Sequence, residues 1–366
     1  MTKLTDLCDI QYGYAFDSSA FTDDDSYPQL VRIRDVKRGY SETFYNGDYP
    51  EEYVLSAGDL LVGMDGEFNI ARWKVDGALL NQRVCKIVAK DNADEEFLRF
   101  ALSKALKAIE DRTSFATVKH LSAKELNKLE IPVPSYDEQK KISEILHRLE
   151  GIIEGRQKEL DSLDELIKAR FVEMSTNWNV DEKPLSEYLE EITYGFTNPM
   201  PDSDDGPWKI TAKDVVNGKV NYETARKTTQ EAYDLLTAKS KPIIGDVLLT
   251  KDGTLGRTAI VEDENICVNQ SVAVLRCNGR VLPRFLTLLL QLPEYQSEMT
   301  KNSGGGTIKH IYITKVDKMF VKIPELEYQK EYIIFVEQVD KSKVAVQKAL
   351  NEAKLLFDSL MQEYFG

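Results

Sequence analysis

Between Ile142 and Ile167 the apolar residues of this chain recur at alternating steps of four and three. They fall at Ile142, Leu146, Leu149, Ile153, Leu160, Leu163 and Ile167, with Arg156 alone interrupting the series. That spacing lays an apolar seam along one face of a helix, the pattern of a coiled coil. Pro132 and Pro134 fix an extended approach, and Ser135 stands where an N-cap belongs, with Glu138 three residues on. Asp137 and Glu138 also place negative charge where a helix N-terminus favours it. The spacing predicts a helix that begins near Ser135 and runs for about ten turns.

The seam recurs 190 residues further on, at Tyr332, Val336, Val339, Lys343, Val346, Leu350, Ala353, Phe357 and Leu360, again with one basic interruption. Its approach recurs as well, VPSYDEQK at 133–140 lying over IPELEYQK at 323–330 with Pro, Gln and Lys at the same offset. Two seams locked in phase behind matching approaches predict two long helices that pack antiparallel against each other within the chain. Arg156 and Lys343 are then expected to turn toward solvent or acidic neighbours.

The stretches ahead of the helices read as α/β and repeat each other in order. In the first, Leu30–Val36 reads as a strand into a turn closed by Gly39, and Gly58–Met64 as a turn into a buried strand. Asp65-Gly66 signals a hairpin, Val84–Val88 is another short strand, and Glu95–Glu110 has helical spacing. Tyr12-Gly13 answers to Tyr194-Gly195, and Asp35-Val36 with Gly39 to Asp214-Val215 with Gly218. GDLLVGMDG at 58–66 answers to GDVLLTKDG at 245–253, Asn81-Gln82 to Asn269-Gln270, and TVKHL at 117–121 to TIKHI at 307–311. The chain thus divides into a globular domain at 1–134, a helix at 135–178, a second globular domain at 179–322 and a helix at 323–366.

A length of 366 residues accommodates two domains plus connecting helices, with 42% hydrophobic and 30% charged residues. No charged-then-apolar leader is seen, and the longest apolar stretch, Phe285–Leu292, is far too short to span a bilayer, so a cytoplasmic protein is expected. Cys8, Cys85, Cys267 and Cys277 form no CxxC pair and have no nearby histidines, which predicts reduced thiols and no metal. The net charge of −14 opposes a phosphate backbone at long range, so any nucleic-acid binding is expected to need a partner's help.

Catalytic signatures are missing. Asn198-Pro199-Met200-Pro201 lacks the adjacent prolines and aromatic that hold a flipped base, and Ser303–Thr307 is glycine-rich without a phosphate-gripping lysine. The chain therefore reads as non-catalytic and without a cofactor. The candidate contacts are basic. Lys251 and Arg257 flank the Gly-rich turn of GDVLLTKDGTLGR, and Arg32, Arg34, Lys37 and Arg38 cluster in the first domain. Lys213 belongs to the matching cluster of the second, and Arg72 and Asn69 lie near the place that Gly256 and Thr258 occupy. Lys119-His120 and Lys309-His310 fall at one place in the repeat, where each pair suits either a loop meeting DNA or a structural loop that satisfies backbone groups. Composition alone also suits an adaptor that bridges protein partners on a duplicated scaffold.

These residues resemble the specificity (S) subunits of Type I restriction-modification enzymes over essentially the whole chain. The resemblance rests on IPVPSYDEQKKISEIL and the helix to Lys168-Ala169-Arg170-Phe171, on GDVLLTKDGTLGR, on the Asn-Gln elements and on TVKHL and TIKHI, in the family's order. It implies two target-recognition domains, each reading one half of a bipartite double-stranded DNA sequence. It also implies an antiparallel coiled coil that separates them and docks two methyltransferase (M) subunits, with restriction (R) subunits completing the nuclease. A helix of about 36 residues spans roughly 54 Å, enough to hold two readers at least one DNA turn of about 34–36 Å apart. Tyr328 departs from the family's acidic residue before glutamine, and Gly151 and Gly155 each cost the first helix roughly 1 kcal/mol relative to alanine.

Overall fold

The structure, a computed structural model, describes residues 1–66, 68–112, 120–301 and 310–366. It falls into two compact units. Unit 1 comprises Met1–Lys158 with Val346–Gly366, and unit 2 comprises Glu159–Ala345. Each unit therefore holds one globular domain, half of a central helix, Tyr136–Thr176, and half of a C-terminal helix, Leu326–Phe365. Among the described residues no helix is long and apolar enough to cross a membrane.

In unit 1 the strand Leu60–Gly63 is fully buried, which explains its unbroken apolar run. It lies inside a four-stranded antiparallel sheet, between Val84–Ala89 on one side and Ile70–Arg72 on the other, with Cys8–Tyr12 beyond Val84–Ala89. Leu60 and Val62 face the helix Glu95–Arg112, while Leu61 faces a separate core with Val31, Trp73 and Leu80. Unit 2 repeats the arrangement with the strands Leu189–Tyr194, Val272–Cys277, Val247–Thr250 and Thr258–Ile260. There Val247 and Leu249 face Phe285 and Leu289, and Leu248 faces Ile210 and Val268. The opening strand of each domain pairs with its last, Thr2–Lys3 with Glu130–Ile131 and Lys183–Pro184 with Phe320–Val321.

The helices begin where their sequences say they should. Ser135 caps the central helix, its hydroxyl donating to Glu138 Oε2 at 2.7 Å and its backbone N–H donating to the same oxygen at 3.1 Å. One turn in, a buried glutamine fastens each helix to its domain. Gln139 accepts from the Asp94 N–H and donates to the carbonyls of Asn92 and Pro134. Gln329 accepts from the Leu282 N–H and donates to Arg280 and Pro324.

Packing of the two helices is antiparallel in both units. In unit 1, Ile142 and Leu146 from the start of the central helix share a core with Met361 and Phe365 from the end of the other. In unit 2, Phe171 meets Tyr332 at 5.5 Å between ring centroids and Asp164 pairs with Lys343. Arg156 is exposed and Lys343 finds a carboxylate, as the pattern predicts. Gly151 and Gly155 sit on the exposed face, where an added Cβ would meet nothing within 4 Å.

Sequence and structure differ at Leu30–Val36. Only Leu30–Val31 is strand; Ile33–Val36 is a short helix, because the Asp35 carboxylate accepts the Arg32 N–H at 3.0 Å and closes a turn that the β-branched residues do not advertise.

Candidate nucleic-acid interface

The central strand of each sheet is delivered by a Gly-Asp turn. Gly58 and Gly245 adopt φ of +99° and +91°, and the aspartate that follows accepts a backbone N–H three residues back, Asp59 from Ser56 and Asp246 from Ile243. At the far end of the strand an Asp-Gly turn projects, and the returning chain folds onto it. Leu121 N–H donates to the Met64 carbonyl at 2.7 Å, and Ile311 N–H to the Lys251 carbonyl at 2.8 Å. In both domains this sets a histidine against the turn's aspartate, His120 Nδ1 on Asp65 Oδ1 and His310 Nδ1 on Asp252 Oδ1. The imidazoles are about half exposed, at 48% and 45%.

The carboxylate's other oxygen is also occupied. Arg83 Nε lies 3.4 Å from Asp65 Oδ2, and Lys251 Nζ lies 2.7 Å from Asp252 Oδ2 and 5.5 Å from the centre of the Tyr194 ring. Burial pushes the Asp252 carboxyl up, but the hydrogen bonds from Lys251 and His310 outweigh it and hold it below the usual carboxylate range.

Further chain comes to the same edge. Gly13 and Gly195 are obligatory, since a Cβ would collide with the carbonyls of Asn81 and Val268. This close approach lets Tyr14 bridge Asn81, and Phe196 bridge Asn269, leaving Gln82, Arg83 and Gln270 exposed beside the Asp-Gly turn. In unit 1, Ile33 packs on Gly63 and brings exposed Arg32 and Arg34 to the end of the strand, with Lys37 and Arg38 following, also exposed. In unit 2, Ser271 Oγ accepts the Ala212 N–H while its carbonyl accepts the Lys251 N–H, which sets exposed Lys213 on the adjoining loop. Arg257 is exposed, and its backbone N–H is held by Thr250 Oγ1.

Not every candidate lies here. Arg72 pairs with Leu60, at the opposite end of the hairpin from Asp65, and binds Glu96 at 2.5 Å, Glu95 at 2.6 Å and the Gly58 carbonyl at 2.7 Å. Strand register makes Asn69 the counterpart of Arg257, and Arg72 that of Ile260, since Val62 pairs with Ile70 as Leu249 pairs with Thr258. Lys119 and Lys309 lie outside the described residues. Nothing local in the sequence marks Gln82, Gln270 and Arg83 as exposed at this edge, although the repeated Asn-Gln step marks their place.

The model for the Type I restriction modification DNA specificity domain matches residues 1–163 and 200–354. The Type I restriction enzyme EcoBI specificity subunit of Escherichia coli is 31% identical over 98% of this chain and 83% of its own. The S subunit of a Type I restriction-modification system from M. genitalium superposes with a TM-score of 0.56 at 14% identity, over 100% of this chain and 95% of its own. A chain from a structure describing complex assembly and conformational transition of the type I R-M system gives 0.61 at 17% identity, over 99% and 96%. The chain belongs to the Type I restriction-modification DNA specificity family. Its role is that of a specificity subunit, which supplies DNA sequence specificity in a restriction-modification system and is not itself the catalyst.

Proposed function

We propose that each globular domain reads one half of a bipartite double-stranded DNA target through the loop edge just described. Two methyltransferase subunits assemble on the helical pair, restriction subunits complete the nuclease, and the complex works in the cytoplasm. The observation that carries this reading is that one chain builds the same exposed edge twice, on the same strand end, from differing side chains. The proposed DNA contacts are Arg32, Arg34, Lys37, Arg38, Lys119 and His120 in the first domain, and Lys213, Lys251, Arg257, Lys309 and His310 in the second. Arg72 is left out, because it lies at the opposite end of the hairpin from the Asp-Gly turn, where two carboxylates and a carbonyl take its guanidinium.

Gln82 and Gln270 join the list, since an exposed glutamine offers a bidentate match to adenine. With −14 of net charge the chain binds DNA weakly alone and tightly with its methyltransferase partner. Binding of a random-sequence duplex by the chain with and without that partner, measured against salt, tests this. A steep loss of affinity with salt in the complex is expected. Protein partners bound with no affinity for duplex would instead define an adaptor.

A further inference from the structure

The two domains share one charge constellation whose cation comes from a different position in each. In each, an aspartate of the Asp-Gly turn lies between a half-exposed imidazole and a permanent cation. The imidazole and carboxylate correspond, yet the cation is Arg83 in one domain and Lys251 in the other. Arg83 occupies the place of Ser271, and Lys251 that of Met64. The two domains thus reach one arrangement with cations from different loops.

Resting on the reading above, we propose that Asp65 and Asp252 are positioning residues that hold His120 and His310 as phosphate contacts, and that DNA binding takes up a proton at each imidazole. A carboxylate with a cation on its second oxygen is an acceptor, so Nδ1 of each ring must carry a hydrogen. Nε2 is then the nitrogen on the side of the half-exposed ring away from the carboxylate. In the neutral ring it is an acceptor and repels a phosphate oxygen; in the protonated ring it is a donor, and the contact is charge-assisted. What two domains reading different words have in common is suited to what all DNA has in common, the backbone. Among the described residues the charged groups facing His120 are Asp65, Arg83 and Glu125, whose carboxyl is drawn down first by hydrogen bonds from Ser122 and also by His120. Those facing His310, again among the described residues, are Asp252 and Lys251.

The test uses the full chain in complex with its methyltransferase subunits and a random-sequence duplex. Binding enthalpy is measured in buffers of differing ionisation enthalpy, and affinity from about pH 5.5 to 8.5. Wild type is expected to take up protons on binding and to bind more weakly as pH rises. H120Q/H310Q should abolish the uptake and lower the log-affinity against log-salt slope by about two, roughly one per phosphate contact. H120K/H310K should restore the slope without proton uptake, which a merely structural latch would not do. D65N/D252N, with both histidines kept, should reduce the proton uptake and lower the salt slope. Absence of proton uptake by the wild type overturns the proposal whatever the variants do, and so does an unchanged salt slope in H120Q/H310Q. Either result leaves half-site reading standing, whereas failure of the wild-type complex to bind any duplex overturns both.

Discussion

Lys343 occupies a seam position of the C-terminal helix, yet its ammonium reaches Oδ1 of Asp164 on the central helix at 2.5 Å. The lysine is 29% exposed and the aspartate 54% exposed, so the pair is well screened. Asp164→Ala is expected to cost less than about 1 kcal/mol, and Lys343→Leu to raise stability by about 1 kcal/mol by completing the apolar seam. Urea unfolding of both variants checks this. A lysine that proves indispensable would show the pair is more than a tolerated interruption.

Gln329 is fully buried and satisfies three backbone groups. Gln329→Ala leaves the Leu282 N–H and the Arg280 carbonyl without partners inside the protein, at about 1–3 kcal/mol for each group. A loss of about 2–6 kcal/mol in unit 2 is expected by denaturant titration, with Gln139→Ala destabilising unit 1 in the same way. A variant as stable as wild type would mean that water takes over the clasp.

Unit 1 carries an ion network that runs from Arg72 through Glu96 and Arg99 to Glu150 on the central helix. Burial pushes the Glu96 carboxyl up, but hydrogen bonds and charge from Arg99 and then Arg72 hold it below the usual value. A depressed folded value means that its contribution is fully present above the ordinary 4.5 and is lost as pH falls through the lower folded value. Glu96→Gln is therefore expected to flatten the acid limb of unit 1 stability, followed by denaturation midpoints from about pH 6 to about pH 3. An acid limb identical to wild type would place the acid-sensitive group elsewhere.

Much of this architecture is written in local pattern. The seam of Ile142 to Ile167 and the buried run Leu60–Gly63 are legible because burial on one face or on two leaves distinct periodicities. The Tyr-Gly steps are legible as repeats, though only the structure shows that Gly13 and Gly195 are forced by an approaching backbone. The strand Ser203–Ile210 is not legible, because Asp204, Asp205, Gly206 and Pro207 disfavour a strand; they fall in the irregular stretch between Ser203 and Trp208, and only Trp208–Ile210 pairs with Ile266–Val268. Nor is the place of Arg72, since nothing local marks Glu95 and Glu96 as its partners. The Asp-His pairs escape notice for the same reason, lying 55 and 58 residues apart in the chain.

Because the two helices pack antiparallel within each unit, spacing is expected to change only when both are lengthened together. One heptad inserted after Glu159 and another after Ala345 adds about 10.5 Å of helix, roughly three base pairs of duplex. Site selection with the altered complex is expected to return the same half-sites with a gap about three base pairs longer. Unchanged spacing would show that the helices do not set it.

The central claim is that the two domains read independently, and sequencing of modified bases in cells carrying the intact system tests it most directly. With Lys251→Ala and Arg257→Ala introduced into the chain, the account predicts that preference relaxes only in the half-site read by the second domain. A lost base contact there costs about 1–3 kcal/mol at its position, and the other half-site keeps its bases unchanged. A modified sequence in which both halves change together would contradict it.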